Sequence, residues 1–354
     1  MIEIFRSAIK AGASDLHMKT GDLFRARING ELVPMTQQRL TQEQIRQVAL
    51  QLIPHKKDRD HLDDITDYDC SWGAPGIGRF RVNILRQRGS LMIVMRVIPM
   101  EIPTFEKLEL PMVLAEIAMK ERGLVLVTGV TGSGKSTSLA SMIGHLNANR
   151  RRHVITLENP IEFLHRDNQC SITQREVGTD TLSFESGLRA ALREDPDVIL
   201  IGEMRDTTTI DTALKAVETG HLVLSTLHTQ NAVQTISRIV AVFPPHEQAM
   251  VRVRLAETLV AVVSQRLLPR LNRAGRIAAV EIMIVTAAIR EAMLSPEGSG
   301  QIYELIEDGR QQYGSQSFDQ HLMELVSREI VAFDVAKAAA NNPSDFELKL
   351  KTLA

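Results

Sequence analysis

The spacing of apolar residues changes along this chain, and the change divides it. Near the start the period is two. Phe24, Ala26 and Ile28 alternate with Arg25 and Arg27, then Asn29-Gly30 is followed by Glu31-Leu32-Val33. Two strands joined by Asn-Gly predict a tight hairpin. Ile45, Val48, Ala49 and Leu52 have helical spacing and predict the buried face of a helix. Phe80, Val82 and Ile84 again alternate with polar residues, and Leu91 to Ile98 predicts a further strand. Residues 1–98 therefore read as a small α/β domain. Pro99, Pro103 and Pro111 then punctuate the chain, so 99–111 reads as a linker that its prolines make semi-stiff.

From Pro111 onward the pattern is different. Continuous apolar runs at 124–128, 153–157, 197–201 and 222–226 predict buried strands, and 135–148, 183–194 and 208–219 between them predict helices. That order implies a mainly parallel sheet flanked by helices. In the helix at 208–219, Thr208 is the expected N-cap, Ile210, Ala213, Leu214 and Val217 form the core stripe, and Gly220 ends it. Residues 247–268 read as a longer helix and 286–345 as helical with two breaks. Residues 112–354 thus form one domain with a helical C-terminal extension.

Composition narrows the class. The chain has 354 residues and is 44% hydrophobic but only 4% aromatic, so Leu, Ile, Val and Met must fill its cores. Lys plus Arg number 41 against 43 Asp plus Glu, a net charge of -2, which is not the basic profile of a nucleic-acid binder. No nucleic-acid partner is expected. Two cysteines, Cys70 and Cys170, argue against a disulfide scaffold and fit a reducing compartment. The first residues lack the layout of a signal peptide, and the most apolar long stretch, 277–289, carries Glu281. The expectation is a soluble, cytosolic protein able to dock on a membrane-embedded partner.

One segment carries most of the chemistry. Gly129-Val130-Thr131-Gly132-Ser133-Gly134-Lys135-Ser136-Thr137 spells G-x-x-x-x-G-K-S between a predicted strand and a predicted helix. That is the context of a phosphate-binding loop. Its glycines let backbone N–H groups turn inward around phosphate oxygens, and the positive end of the helix adds attraction. Lys135 is placed to reach the β- and γ-phosphates of ATP, and the Ser136 hydroxyl to bind Mg²⁺.

Hydrolysis needs an acidic group at the end of a neighbouring strand. Asp197-Val198-Ile199-Leu200-Ile201-Gly202-Glu203 offers Glu203 at the carboxyl end of a buried run, where ligands bind in open α/β sheets. Gly202 stands where an Asp is usual, so Mg²⁺ is expected on Ser136, phosphates and waters, with Glu203 nearby. Leu157-Glu158-Asn159-Pro160-Ile161-Glu162 opens at the same edge, and Glu158 or Glu162 would act through water; the plainer reading is a polar Asn-Pro turn. His228 ends another apolar run and can contact a γ-phosphate, while His221 opens that run and should lie at its far end. For both histidines a purely structural hydrogen-bonded role stays open. In the first domain Arg79, Arg81 and Asn83 share a strand face. Arg96 shares a face with Met92, Val94 and Ile98 and needs a partner there, which a triphosphate would supply; the plainer reading of these arginines is a solvated sheet face with one internal ion pair.

In combination these motifs resemble the secretion-superfamily ATPases, and among them the PilT branch of type IV pilus retraction ATPases. The phosphate loop, the 158–162 segment, Ile201-Gly202-Glu203-Met204-Arg205-Asp206 and the histidine strand follow that family's order. Ser14-Asp15-Leu16-His17, Gly78-Arg79-Phe80-Arg81-Val82-Asn83 and Arg193-Glu194-Asp195-Pro196-Asp197 match as well, so the resemblance runs from about residue 1 to 345. It implies a PAS-like first domain, a RecA-like second domain, a homohexameric ring, and nucleotide between the two domains of a subunit. It places Arg81 and Arg96 as arginine fingers, Glu162 in an acidic box, Glu203 as the catalytic glutamate, and His221 and His228 in a histidine box. The implied load is a pilus, its subunits drawn out through an inner-membrane platform protein. A paralogous ATPase is an implied further partner, and the implied location is the cytoplasmic side of the inner membrane.

Extension and secretion ATPases usually add a long N-terminal region and a four-cysteine zinc motif, which two distant cysteines cannot make. The chain departs from the family at Asn159, where Asp is usual. It departs again at Ala288-Ile289-Arg290-Glu291-Ala292-Met293-Leu294-Ser295, which keeps only the first three residues of the retraction motif. An accessory retraction ATPase of the PilU kind, or a related secretion or assembly ATPase, is the alternative. A non-hydrolytic nucleotide-gated module would lack a counterpart of Glu203, and a nucleic-acid translocase would need a basic channel.

Overall fold

The computed structural model describes residues 2–353, with side chains through Leu350. The chain forms two compact units: residues 1–101 together with 162–164, and residues 102–161 together with 165–354.

The first unit is built on β1 Ala13–Lys19, β2 Leu23–Ile28, β3 Glu31–Arg39, β4 Asp67–Ala74, β5 Gly78–Gln87 and β6 Ser90–Ile98. They form a six-stranded sheet in the order β3-β2-β1-β6-β5-β4, and each adjacent pair is antiparallel. The hairpin turn at Asn29-Gly30 puts both residues at positive φ, 51° and 88°, as such a turn demands. One sheet face packs with helices Ile2–Lys10 and Gln42–Leu52. The Phe5 ring centres a cluster there, with Phe24, Trp72 and Phe80 all within 6.0 Å of it, centroid to centroid. The helix starting at Gln42 is held by a capping box between Thr41 and Gln44.

The other face is polar, and here Arg96 takes the plainer of its two readings, an internal ion pair. Leu91, Ile93 and Met95 are the core residues of β6, so Met92, Val94 and Arg96 lie on the outer side. The partner of Arg96 is protein: Asp15 Oδ1 accepts a hydrogen bond from its Nε at 2.9 Å.

The second unit carries β7 Gly123–Thr128, β8 His153–Glu158, β9 Ser171–Glu176, β10 Val198–Ile201, β11 Leu222–Leu227, β12 Leu259–Pro269 and β13 Arg276–Ile284. Their order is β13-β12-β7-β11-β10-β8-β9. All neighbours are parallel except the pair β12–β13. Both faces are covered at the centre of the sheet, which is why β7, β10 and β11 are buried along their whole length. Leu124 and Leu126 of β7 enter one core with helices Thr207–Glu218 and Ala232–Val242. Val125 and Val127 enter the other core with helix Lys135–Asn149. The second unit begins at Ile102: Phe105 is buried in the latter core, and Pro103 O accepts a hydrogen bond from Ser141 at 2.7 Å.

Three expectations are corrected. The helix read at 247–268 ends at Thr258, and Leu259–Pro269 is β12, pairing parallel with β7. Val260, Val262 and Val263 are β-branched and favour a strand, and the open edge of β7 gives their backbone a ladder. The helix read from Thr208 starts one residue earlier and is capped by Asp206, whose carboxylate accepts from Thr209 N at 2.7 Å and Thr209 Oγ1 at 2.8 Å. The C-terminal region is more broken than expected, with helices Ala287–Met293, Ile302–Asp308, Arg310–Tyr313, Phe318–Ser327, Phe333–Ala339 and Pro343–Leu353. Arg266 of β12 ties it down. Its guanidinium lies 3.8 Å from the Phe318 ring centroid and hydrogen-bonds Ala339 O and Asn341 Oδ1.

Candidate functional site

The site in the second unit sits at the carboxyl ends of β7, β10 and β11. β7 runs into the glycine loop, and Gly134 at φ 92° serves as N-cap of helix Lys135–Asn149. Gly129 is required on two counts. Its φ is 138°, and a Cβ there would lie 2.5 Å from Gln265 O and 2.6 Å from Ser133 Oγ. Lys135 is buried, and its ammonium donates to Gly129 O at 2.9 Å and Val130 O at 3.0 Å, so it is held against the loop it must serve. Burial lowers its pKa, opposed by the negative charge of Glu203. Ser136 stands exposed at the head of the helix, as do Val130, Thr131 and Gly132 on the loop.

Glu203 follows β10 and lies close to two cations and a histidine. Arg205 Nη2 is 2.8 Å from its carboxylate, His228 Nε2 is 3.8 Å away, and Lys135 acts on it through charge. His228 follows β11, the next strand. Its pKa is lowered by burial and by the Lys135 and Arg205 charges, with Glu203 pulling the other way. A neutral imidazole at this place can both accept and donate a proton. Gly202, where an Asp was missed, leaves little room: a Cβ would press on Leu157 O at 3.2 Å and the Phe184 ring at 3.4 Å.

The remaining residues are dispersed. Glu158 ends β8, and its Oε1 accepts from Thr156 Oγ1 at 2.6 Å and Gln174 Nε2 at 3.1 Å. Glu162 is exposed and groups with the first unit. His221 lies at the opposite end of β11 from His228, with its Nδ1 2.8 Å from Ala216 O. Arg81 and Arg96 are exposed on the first unit's outer sheet face, opposite one another in the β5–β6 register.

Three supporting residues escaped the sequence reading. Gln265 of β12 donates through Nε2 to Ser138 Oγ at 2.7 Å, joining that strand to the first turn of the phosphate-loop helix. Glu176 is buried and accepts from Ile161 N at 3.2 Å, anchoring the turn after Glu158. Glu281 of β13 is buried and ends a polar row that starts beside the glycine loop. Thr128 Oγ1 donates to Ser264 Oγ at 3.0 Å, Ser264 Oγ to Glu281 Oε1 at 3.4 Å, and Ala232 N to the same carboxylate oxygen at 2.8 Å. Burial pushes the Glu281 pKa up to about 7, against the Ala232 hydrogen bond and the Arg266 charge. A single carboxylate in an apolar stretch was the one sequence signal for it.

A parallel sheet flanked by helices, with a glycine loop leading from strand to helix and a glutamate and histidine on the next strand ends, defines a phosphate-loop nucleotide-binding protein. The chain belongs to the Type II/IV secretion system protein family, which matches residues 1–346. It is 43% identical to the type IV pilus retractation ATPase PilT of Pseudomonas aeruginosa, across 97% of this chain and 99% of that one. The type IV pilus ATPase PilU of the same organism is 39% identical, across 99% of this chain and 91% of its own. A crystal structure of the pilus retraction motor PilT with bound ADP matches at TM-score 0.89 and 42% identity over 98% of each chain. No helix among the described residues is long and apolar enough to cross a membrane.

Proposed function

We propose that this chain is an ATP-hydrolysing motor that powers retraction of a type IV pilus. The observation that carries the chemistry is the placing of Glu203 and His228 beside Lys135 at the ends of adjacent strands. Full-length similarity to PilT supports the load. Lys135 and the loop N–H groups hold the β- and γ-phosphates, Glu203 orients or deprotonates the attacking water, and His228 contacts the γ-phosphate. Arg81 and Arg96 bring positive charge to the transferring phosphoryl group. Glu158 and Glu162 act through water, and His221 supports its strand from the far end.

Among the described residues, no cluster of three His, Cys, Asp or Glu side chains forms a metal cage. That suits Mg²⁺, which keeps several waters and binds mainly through substrate phosphates and one or two protein groups. Ser136, with Glu203 and Glu162 through water, would hold it, and it would neutralise charge developing on the phosphates. The working form on this reading is a ring of six copies in the cytoplasm, docked on an inner-membrane platform protein and sharing the machine with a paralogous ATPase.

The test is ATPase activity and oligomer mass of the wild type, Glu203→Ala and Arg81→Ala. The expected result is a hexamer that hydrolyses ATP, with both variants impaired. A monomeric wild type without turnover overturns the motor. An Arg81→Ala variant with full activity removes that arginine's role and leaves the motor standing. The altered segment 288–295 favours one second reading, an accessory ATPase of the PilU kind. In the structure it forms helix Ala287–Met293, where Arg290 Nε donates to Ala256 O at 2.9 Å. Complementation of a strain without retraction ATPases separates the two: a principal motor restores twitching alone, an accessory one only beside its partner.

A further inference from the structure

A row of charged residues crosses the outer face of the first unit's sheet. In the strand registers Arg81 of β5 stands opposite Arg96 of β6, Arg96 opposite Asp15 of β1, and Asp15 opposite Arg27 of β2. Two arginines, Arg96 and Arg27, thus share one carboxylate, and Arg81 extends the row beyond Arg96. The chain elements that bear them are far apart in sequence: Arg96 and Asp15 are separated by 81 positions.

The contact geometry is selective. Asp15 grips Arg96 through Nε at 2.9 Å, and among the described residues neither terminal nitrogen of Arg96 has a hydrogen bond. The Arg96 side chain remains 72% exposed, whereas that of Asp15 is only 10% exposed. A guanidinium held by its Nε keeps its two terminal amino groups for a second anion, and the fork they form matches a phosphate. Asp15 is itself fixed. Its Oδ2 accepts from Ser14 Oγ at 2.9 Å and lies 3.9 Å from Arg27 Nε. Although burial opposes ionisation, the hydrogen bonds from Arg96 and Ser14 outweigh it and hold the carboxyl below its ordinary pKa. An untethered arginine at this exposure would sample many rotamers, and that freedom would have to be lost at each turnover.

We infer that Asp15 is a positioning residue for Arg96, holding its guanidinium by Nε so that both terminal amino groups stay available to a phosphoryl group. This rests on the reading of Arg96 as a phosphate-facing arginine. The alternative is that Asp15 only joins two strands and contributes to folding.

The test is a double-mutant cycle on the full chain, with kcat and KM for ATP hydrolysis, unfolding temperature and oligomer mass measured for Asp15→Asn, Arg96→Ala and the pair. If Asp15 acts through Arg96, Asp15→Asn lowers kcat about tenfold with little change in KM, and adds nothing once Arg96 is alanine. If Asp15→Asn costs the same factor in both backgrounds, or leaves kcat unchanged, the positioning role is wrong. If Arg96→Ala alone retains full kcat, the underlying reading of Arg96 fails first, and the role of Asp15 falls with it. Ser14→Ala covers the case in which Asp15→Asn does not fold. It removes one support of the carboxylate and should lower kcat about threefold, again only when Arg96 is present; an equal loss without Arg96 overturns the proposal.

Discussion

Each unit carries a row of polar side chains crossing its strands, and the two rows are opposites. In the second unit Thr128, Ser264 and Glu281 lie side by side on β7, β12 and β13, all buried and hydrogen-bonded to one another. In the first unit Arg27, Asp15, Arg96 and Arg81 cross an antiparallel sheet whose outer face is open, and only Asp15 among them is buried. The difference follows from sheet type. A parallel sheet is covered on both faces, so its polar row must satisfy itself internally and its ligand chemistry moves to the strand ends. An antiparallel sheet covered on one side can display charge on its face. One unit therefore offers chemistry at an edge, the other on a surface.

The largest effect should come from the edge. Glu203→Gln removes the carboxylate without altering a core, so ATP turnover should fall by about 10²–10⁴-fold. Nucleotide binding, followed by fluorescence of a labelled analogue, should persist. Loss of binding would show that the glutamate holds the site together and that edge and core are not separable.

The next prediction strikes the first unit beneath its charged face. Phe80 is fully buried against Phe5 and Trp72, and Phe80→Ala should cost about 4 kcal/mol in urea unfolding. A much smaller loss would mean that the aromatic cluster does not support the row above it.

The buried row should respond to pH. The Glu281 pKa is raised from an ordinary 4.5 to about 7, so the folded state keeps a proton that the unfolded chain releases. Its contribution is fully present below the unfolded value and is lost as pH rises through the folded one. Arg266 and Asp319 are the charged groups acting on it, with opposite sign. Glu281→Gln stays neutral and should gain about 3 kcal/mol over wild type near pH 8, but little near pH 4, in unfolding measurements at the two pH values. An equal effect at both would show that the carboxylate is not titrating there. The smallest effect is expected from Asp206→Ala, which removes a helix cap after the Glu203 loop and should cost about 1 kcal/mol in the same assay.

The parallel unit was legible where its strands are apolar runs followed by Gly, Glu or His, as in β7, β8, β10 and β11, whereas β9, Ser171–Glu176, is polar and left no such run to read. Lys135, Ser136 and Glu203 could be located by counting from those runs. β12 was misread because Val251, Leu255 and Leu259 continue a helical spacing, and only its pairing with β7 decides the matter. Asp15 was visible as part of a motif but its partner was not. Register, which sets Arg96 against Asp15, is a property of β1 and β6 together and leaves no local mark. The same holds for Glu281, whose contacts reach 17 and 49 positions away along the chain.

Gln265 and Arg266 have a mechanical meaning that their separate contacts do not suggest. The backbone carbonyl of Gln265 is packed against Gly129, and the side chain of its neighbour Arg266 clamps Ala339 and Asn341. One peptide unit thus separates the nucleotide loop from the fastening point of the C-terminal helices. The nucleotide loop and the C-terminal helices therefore lean on neighbouring residues of a single strand, so a change at either place is felt by the same short stretch of backbone.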